Sequence, residues 1–316
     1  MTLTQMRYAV AVADLRNFRL AAARCAVSQS GLSMQIRKLE EETGLVLVNS
    51  QSKPVQLTGD GEPFYEMALD ILHRMDALKD LPYHLSGKVE GTLRLGMIPT
   101  LAPYLLSLVS GSVEKKHPGL ILEVEEMLTE PLIQKVRTGH LDAGLIATPV
   151  DVKNLKMQPL FYERFYIYMS DAHPLFHRES VAIDELDLKE IWYLREGNCF
   201  TNQVSAICNL AGQNPAGGKL KYYSNSIESL RRIVERTRGI TFLPELATMQ
   251  IPSETEEMIK PIRGTEPVRE ISLVHAAGIA KQRLLDAFTG VVLSQLPPHM
   301  KKGPRAWVVD TEISVR

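Results

Sequence analysis

The stretch that decides the fold is Phe18-Arg19-Leu20-Ala21-Ala22-Ala23-Arg24-Cys25-Ala26-Val27-Ser28-Gln29-Ser30-Gly31-Leu32-Ser33-Met34-Gln35-Ile36-Arg37-Lys38-Leu39-Glu40. Its alanine-rich start predicts a short helix over Phe18–Arg24, and Cys25-Ala26-Val27 a tight turn. Ser28 then reads as the N-cap of a longer helix reaching about Thr43, because a serine there can accept a hydrogen bond from an otherwise orphaned backbone N–H. Leu32, Ile36 and Leu39 recur at helical spacing and form the buried stripe, while Gln29, Ser30, Ser33, Met34 and Arg37 lie off it. Between Arg16 and Leu39 stand Arg16, Arg19, Arg24, Arg37 and Lys38, with no acidic residue. Small polar side chains flanked by cations suit a helix that approaches base edges while phosphates are held at its sides. The same pattern would fit a plain three-helix unit with a solvated polar face, and the neighbouring segments decide between the two.

Upstream, residues 4–16 read as a helix with Met6, Val10 and Ala13 on one side. Downstream, Gly44 is a C-cap. Leu45–Val48 and Val55–Leu57 read as short strands around the wing Asn49-Ser50-Gln51-Ser52-Lys53-Pro54. Residues 1–58 are therefore expected to form a winged helix-turn-helix, with Gln29, Ser30, Ser33, Arg37 and Lys53 facing double-stranded DNA. Thr58 caps the next helix, expected over 59–81, with Asp60 and Glu62 in the first turn where they favour the helix dipole. Within it Phe64, Ala68, Ile71, Met75 and Leu78 step by 4, 3, 4 and 3, and Pro82 is expected to stop it. We read Phe64, Ile71 and Leu78 as a dimer seam, since doubling a small DNA-reading unit adds affinity and half-site geometry. An amphipathic helix packing on its own domain is the alternative.

The chain of 316 residues is long enough for more than one core, and 45% apolar with 23% charged residues is ordinary globular usage. A net charge of −1 makes any nucleic-acid surface local. Three cysteines make no disulfide framework, Met1–Arg16 has no export-signal character, and no apolar run approaches the ~20 residues of a membrane span. A reducing cytoplasmic setting is expected.

After a polar hinge at 82–91, a two-lobed regulatory domain is expected over 92–296, followed by a loose or assembly-making tail at 297–316. Thr92–Ile98, Leu120–Glu125 and Leu141–Ala147 read as strands, with helices over about Tyr104–Lys116 and Pro131–Thr138 between them. Such alternation means βαβ units and ligands at strand ends. A second set begins near Phe165–Met169 and includes Gly239–Pro244, and Ile271–Val274 returns to the first half. Lobe I is placed at about 92–162 and 267–296, and lobe II at about 163–266. The fold class is α+β multidomain: winged helix-turn-helix, linker helix, two-lobed α/β effector domain.

The run Phe18–Glu40, continued by Gly44-Leu45 and Leu57-Thr58, resembles the signature of LysR-type transcription regulators. That resemblance implies a regulator and not an enzyme, an effector domain similar to periplasmic binding proteins, self-association as a dimer and further as a tetramer, and RNA polymerase as a candidate partner. Two departures stand out. Ser30 replaces a proline at the start of the recognition helix, and Leu47-Val48-Asn49-Ser50 lacks the usual Phe-Glu-Arg, leaving Lys53 as the substitute cation.

On residues alone, Cys199 and Cys208 read as small buried hydrophobes, and Cys25 as a packing residue of the turn. The segments Leu194–Cys208, Gly96–Thr100 and Ser226–Val234, however, resemble the OxyR subfamily of peroxide sensors. The resemblance implies that Cys199 is the peroxidatic thiol, that Cys208 resolves it into a disulfide, and that Thr100, Thr129 and Arg269 line the hydrogen peroxide pocket. Asn198 stands where the subfamily has histidine; it can hydrogen-bond but cannot relay a proton. Thr201–Leu210 reads helical, and nine residues of helix span about 13–14 Å, whereas a disulfide needs Cα atoms within about 7 Å. Such a bond would therefore require unwinding. The competing reading is a LysR-type regulator answering a small metabolite between the lobes. An enzyme or transport-binding protein is disfavoured by the first ninety residues. No phosphate-loop, dinucleotide or zinc motif is present, and His73, His84, His117 and His140 read as isolated histidines, so neither metal nor cofactor is expected.

Overall fold

The computed structural model describes residues 1–85, 88–152, 155–208, 222–264, 266–276, 279, 281–303 and 307–315, without the side chains of residues 73, 76, 77 and 79–85. His73 and His84 therefore lie outside the described side chains, and Leu210 and Pro304 outside the described residues. The chain divides into two compact units, one built on Met1–Lys88 and the other on most of Val89–Arg316.

The first unit opens with α1 (Leu3–Leu15), α2 (Phe18–Arg24) and α3 (Gln29–Thr43). Each has a side-chain cap: Thr2 for α1, Asn17 for α2, and Ser28 for α3, whose Oγ accepts from Gly31 N–H at 3.1 Å. Gly44 ends α3 in the left-handed conformation, φ +71°, which a residue without Cβ adopts at no steric cost. Leu32, Ile36 and Leu39 are buried among Val12, Ala21, Ala22 and Leu47. The wing is two short strands, β1 (Val48–Asn49) and β2 (Gln56–Leu57), paired antiparallel. It is pinned to α3 by Glu40, whose Oε1 accepts from Leu47 N–H at 2.7 Å, and to the end of α1 by Val55 N–H donating to Arg16 O at 3.0 Å.

Helix α4 runs Gly61–Leu85, with Thr58 Oγ1 accepting from Gly61 N–H. A Cβ at Gly61 would stand 2.0 Å from Leu47 O, so only glycine lets the helix start against the wing. Contrary to expectation, Pro82 does not stop α4. It lies in the final turn, where a missing N–H forfeits a single bond and few residues follow. The heptad seam also divides. Phe64 packs into the unit's own cores and Ala68 is buried with Leu69 and Leu72 against Met6 and Val10, whereas Met67, Ile71 and Leu78 are 68%, 37% and 66% exposed. The inward stripe is Phe64-Ala68-Leu72, at spacing four; the outward one is Met67-Ile71-Leu78.

The second unit opens β3 (Gly91–Met97), α5 (Ala102–Lys116), β4 (Leu120–Glu126), α6 (Thr129–Arg137), β5 (Ala143–Thr148) and β6 (Asp151–Val152). Strand β3 is parallel to both β4 and β5. Helix α6 lies close on this sheet, and a Cβ at Gly144 would come within 2.2 Å of Leu132. Strand β7 (Leu155–Met169) follows, then α7 (Cys199–Ile207), α8 (Ile227–Val234), β8 (Ile240–Pro244), α9 (Glu245–Thr248), β9 (Ile259–Pro261), β10 (Val268–Ala276), α10 (Gln282–Gln295) and β11 (Ser314–Val315). The sheet order is β4-β3-β5-β10-β7-β8, with β9 also on β7. Strand β10 runs antiparallel between β5 and β7. The first part of β7 pairs with β10, and its last five residues pair with β8. The second set thus begins not at Phe165 but on a strand continuous with the first half, and its pairings to β8 and β9 are antiparallel.

The tail is not loose over residues 307–315. Val309 N–H donates to Val268 O, Trp307 O accepts from Val268 N–H, β11 pairs parallel with β6, and Val309 and Thr311 are fully buried.

Candidate functional site

Two surfaces carry the residues singled out by sequence. On the first unit, Gln29, Ser30 and Arg37 are exposed along α3, Ser33 is half-buried, and Lys53 is exposed on the wing. Arg37 and Lys53 enter no ion pair among the described residues, so their charges are open to a partner. Arg24 differs: its Nη1 donates to Asp14 Oδ2 at 2.9 Å, and Asp14 also accepts from Tyr65 OH at 2.7 Å, tying α2 and α4 to α1. Cys25 caps α2 and packs on the same core, and burial raises its thiol pKa, as suits a packing residue.

In the second unit the chain turns into α7 at Gly197, φ +85°, and Asn198 caps the helix, its Oδ1 accepting from Phe200 N–H at 3.1 Å. Cys199 is the first residue of α7, 2% exposed, and Cys208 is its C-cap, so the two thiols bracket the helix. Both are unpaired to each other in this state. Burial is the largest influence on Cys199 and raises its pKa. Arg269, the Thr129 hydroxyl and the backbone N–H groups of Phe200 and Cys199 pull the other way by favouring a thiolate. Cys208 has no such helpers, and burial pushes it up to about 12.

Thr100, in the turn after β3, receives Arg269 on both of its acceptors: Nη1 donates to Oγ1 at 2.8 Å and Nη2 to the carbonyl at 3.0 Å. The guanidinium also lies 5.3 Å from the Phe200 ring centre, and Phe200 stacks on Phe165 at 5.3 Å. Thr129, at the start of α6, has a buried hydroxyl with no hydrogen bond of good geometry, though it stands where it acts on the Cys199 sulfur. Asn198 Nδ2 is likewise buried without a partner. The fold thus gathers Thr100, Thr129, Asn198, Cys199 and Arg269 from four segments, and leaves two polar atoms unmet among them.

Several participants have no signal in the sequence. Glu163 on β7 is fully buried against Arg269. Gln203 and Asn202 on α7 donate from Nε2 and Nδ2 to the tail carbonyls of Val309 and Thr311, both at 2.9 Å. The two halves of the second unit are also joined by Tyr104 OH donating to Glu228 at 3.0 Å and Gln250 Nε2 donating to Ser107 Oγ at 2.6 Å. Among the described residues no three His, Cys, Asp or Glu gather as metal ligands, and no helix is long and apolar enough to cross a membrane.

Residues 3–62 match the bacterial regulatory helix-turn-helix protein, lysR family, and residues 86–297 match the LysR substrate binding domain. A hydrogen peroxide-inducible genes activator of Haemophilus influenzae is 32% identical over 278 residues, 88% of this chain and 91% of that protein. A full-length OxyR variant from Pseudomonas aeruginosa superposes with a TM-score of 0.74 at 30% identity, covering 96% of this chain and 99% of that one. A hydrogen peroxide-bound OxyR variant from Corynebacterium glutamicum superposes at 0.59 with 25% identity, covering 93% and 92%. With both of its domains matched by family models and relatives similar along nearly its whole length, the chain belongs to the LysR family of DNA-binding transcription regulators, in its OxyR-like branch, a family of regulators and not of enzymes.

Proposed function

We propose that the protein is a cytoplasmic transcription regulator that senses hydrogen peroxide through Cys199 and answers by joining Cys199 to Cys208. The observation that carries this is the placing of the two thiols at opposite ends of one buried helix, the first of them among Thr129, Asn198 and Arg269. Two of the similar proteins described above bear names that refer to hydrogen peroxide, which supports the choice of signal.

The chemistry runs in two steps. The Cys199 thiolate attacks one peroxide oxygen; the O–O bond breaks, the sulfur becomes a sulfenic acid, and the departing hydroxide takes a proton to become water. Thr129 Oγ1 and Asn198 Nδ2, buried and unmet, are suited to hydrogen-bond the two small oxygens, with Thr100 and Arg269 completing the pocket. The Cys208 sulfur then attacks the sulfenic sulfur, releasing water and leaving a disulfide. Nine residues of helix hold the ends about 13–14 Å apart, so α7 has to unwind before the second step. An element with two such arrangements can re-space the DNA-reading units of a dimer or tetramer.

On DNA, Gln29, Ser30, Ser33 and Arg37 meet base edges and phosphates in the major groove, with Lys53 on the flanking backbone. Met67, Ile71 and Leu78 form the seam between two copies, in place of a seam that includes Phe64. RNA polymerase is the onward partner.

The test compares Cys199→Ser with Cys208→Ser after peroxide, by mass spectrometry with a sulfenic-acid trap. The first variant is expected to show no oxidation in residues 194–208, and the second to stop at a trapped sulfenic acid. If wild-type Cys199 stays reduced while the DNA footprint responds to a small metabolite, metabolite sensing replaces this reading.

A further inference from the structure

Arg269 and Glu163 are both completely buried, and they stand directly opposite each other on β10 and β7. Arg269 Nε donates to Glu163 Oε1 at 2.8 Å, and Nη2 lies 2.7 Å from the same oxygen. The other carboxylate oxygen accepts from Leu246 N–H at the head of α9, at 3.0 Å. Thr100 holds the far side of the guanidinium and Phe200 lies under its face. The cation is thereby fixed from β7, from the turn after β3 and from α7. Arg269 is the charged group that acts on Cys199, and the charges that act on Glu163 are Arg269 and, from α9, Glu245. A free guanidinium beside a thiol would draw it toward thiolate, whereas a guanidinium matched by a buried carboxylate offers its N–H donors with little net charge.

We propose that Glu163 is a positioning residue for the Cys199 site: it locks the Arg269 guanidinium against Thr100 and Phe200 and cancels its charge, so that the resting thiol is held back. This rests on Cys199 being the sensing thiol. A purely structural Glu163 would steady the two strands and do no more; a charge-matching one also sets the proton affinity of Cys199.

The two roles separate in a double-mutant cycle. The full chain carries Cys25→Ser and Cys208→Ser, so that Cys199 is its one remaining thiol, and its titration is followed by ultraviolet thiolate absorbance against pH. Glu163→Gln, which removes the charge and keeps the shape, is expected to lower the Cys199 midpoint by about one pH unit. Arg269→Gln is expected to raise it by a similar amount, and the double variant to return near the starting value. An unmoved or raised midpoint in Glu163→Gln overturns the proposal, as does a double variant that titrates like Arg269→Gln. If Glu163→Gln alone does not fold, the remaining pair decides: the double variant has to titrate below Arg269→Gln. Peroxide oxidation of the unaltered protein is measured beside it; a thiol that follows the cycle yet ignores peroxide upholds the role of Glu163 and removes the sensing reading instead.

Discussion

Helices α3 and α7 begin alike and end differently. Each follows a turn and is N-capped by a small polar side chain, Ser28 accepting from Gly31 N–H and Asn198 from Phe200 N–H. Helix α3 runs fifteen residues, closes on a left-handed glycine, and turns Gln29, Ser30 and Arg37 outward. Helix α7 runs nine, is buried at Cys199, Phe200, Gln203, Val204 and Ile207, and closes on a cysteine. Beyond the Phe200 stack on Phe165 and the Thr201 bond to Leu194 O, its side chains reach out through two hydrogen bonds to the tail. A helix meant to be read by a partner is best kept in one shape by its cores and caps. A helix meant to change needs its reacting groups at its ends and few bonds to break.

The largest effect is expected from the platform that carries α3. Charged residues at Ile71 and Leu78, both exposed, should leave the fold of each unit intact and separate the dimer. DNA affinity should then fall about 10²–10⁴-fold, the usual worth of binding two sites at once. Sedimentation and a footprint check this together, and an intact dimer would hand the seam another role. Oxidation of Cys199 should be unaffected.

On the α7 side, pH gives the next effect. Because the Cys199 pKa is raised above its ordinary value of 9.0, the thiol is mostly protonated near neutrality. Sulfenic acid formation in Cys208→Ser should then rise about tenfold per pH unit between about pH 6 and 8, as the thiolate fraction rises. A rate flat across that range would mean the thiolate is already formed. The same shifts bear on stability with a definite sign. The Cys208 pKa is about 12 in the folded chain, against an ordinary 9.0. Its protonated burial therefore stabilises the fold fully below about pH 9 and progressively less as pH climbs toward that folded value.

Arg37→Ala should weaken DNA binding by about 1–3 kcal/mol if it reads a base, and leave the chemistry of α7 alone. A footprint unchanged when Gln29, Ser30, Ser33 and Arg37 are all replaced would remove α3 from the DNA surface. The smallest effect belongs to the tail. Ending the chain after Gly303 removes the tail's pairings with Val268 and β6 and, from α7, two hydrogen-bond acceptors, each worth about 1 kcal/mol. Disulfide formation after peroxide should quicken by about tenfold, measured by timed alkylation. Slower formation would mean that the tail assists the opening instead.

The contrast between the helices also explains what the sequence revealed. Around α3 every signal is local: the Ser28 cap, the Leu32-Ile36-Leu39 stripe and the Gly44 stop lie within seventeen residues, and the structure reproduces them. Along the linker helix a heptad step and an i, i+4 step share Phe64 and Ala68, and only the position of α1 reveals which face is covered within the unit. Around α7 the deciding contacts are distant. Glu163 meets Arg269 across 106 positions, and Gln203 meets Val309 across 106. Strand β7 carries Lys156, Pro159, Glu163 and Arg164 before its apolar end, so its first ten residues gave no strand pattern, and with them Glu163 went unseen. The thiols, Thr100, Thr129 and Arg269 were legible through family resemblance, not through periodicity.

A bond between Cys199 and Cys208 has to open α7, and that opening is visible in the helix's backbone amides. Amide hydrogen exchange of residues 199–207, followed by mass spectrometry before and after peroxide with the disulfide mapped in the same samples, tests it most directly. Slow exchange is expected in the reduced protein, with a loss of protection across Phe200–Ile207 that rises in step with the mapped Cys199–Cys208 bond. A fully formed bond with protection unchanged would contradict it.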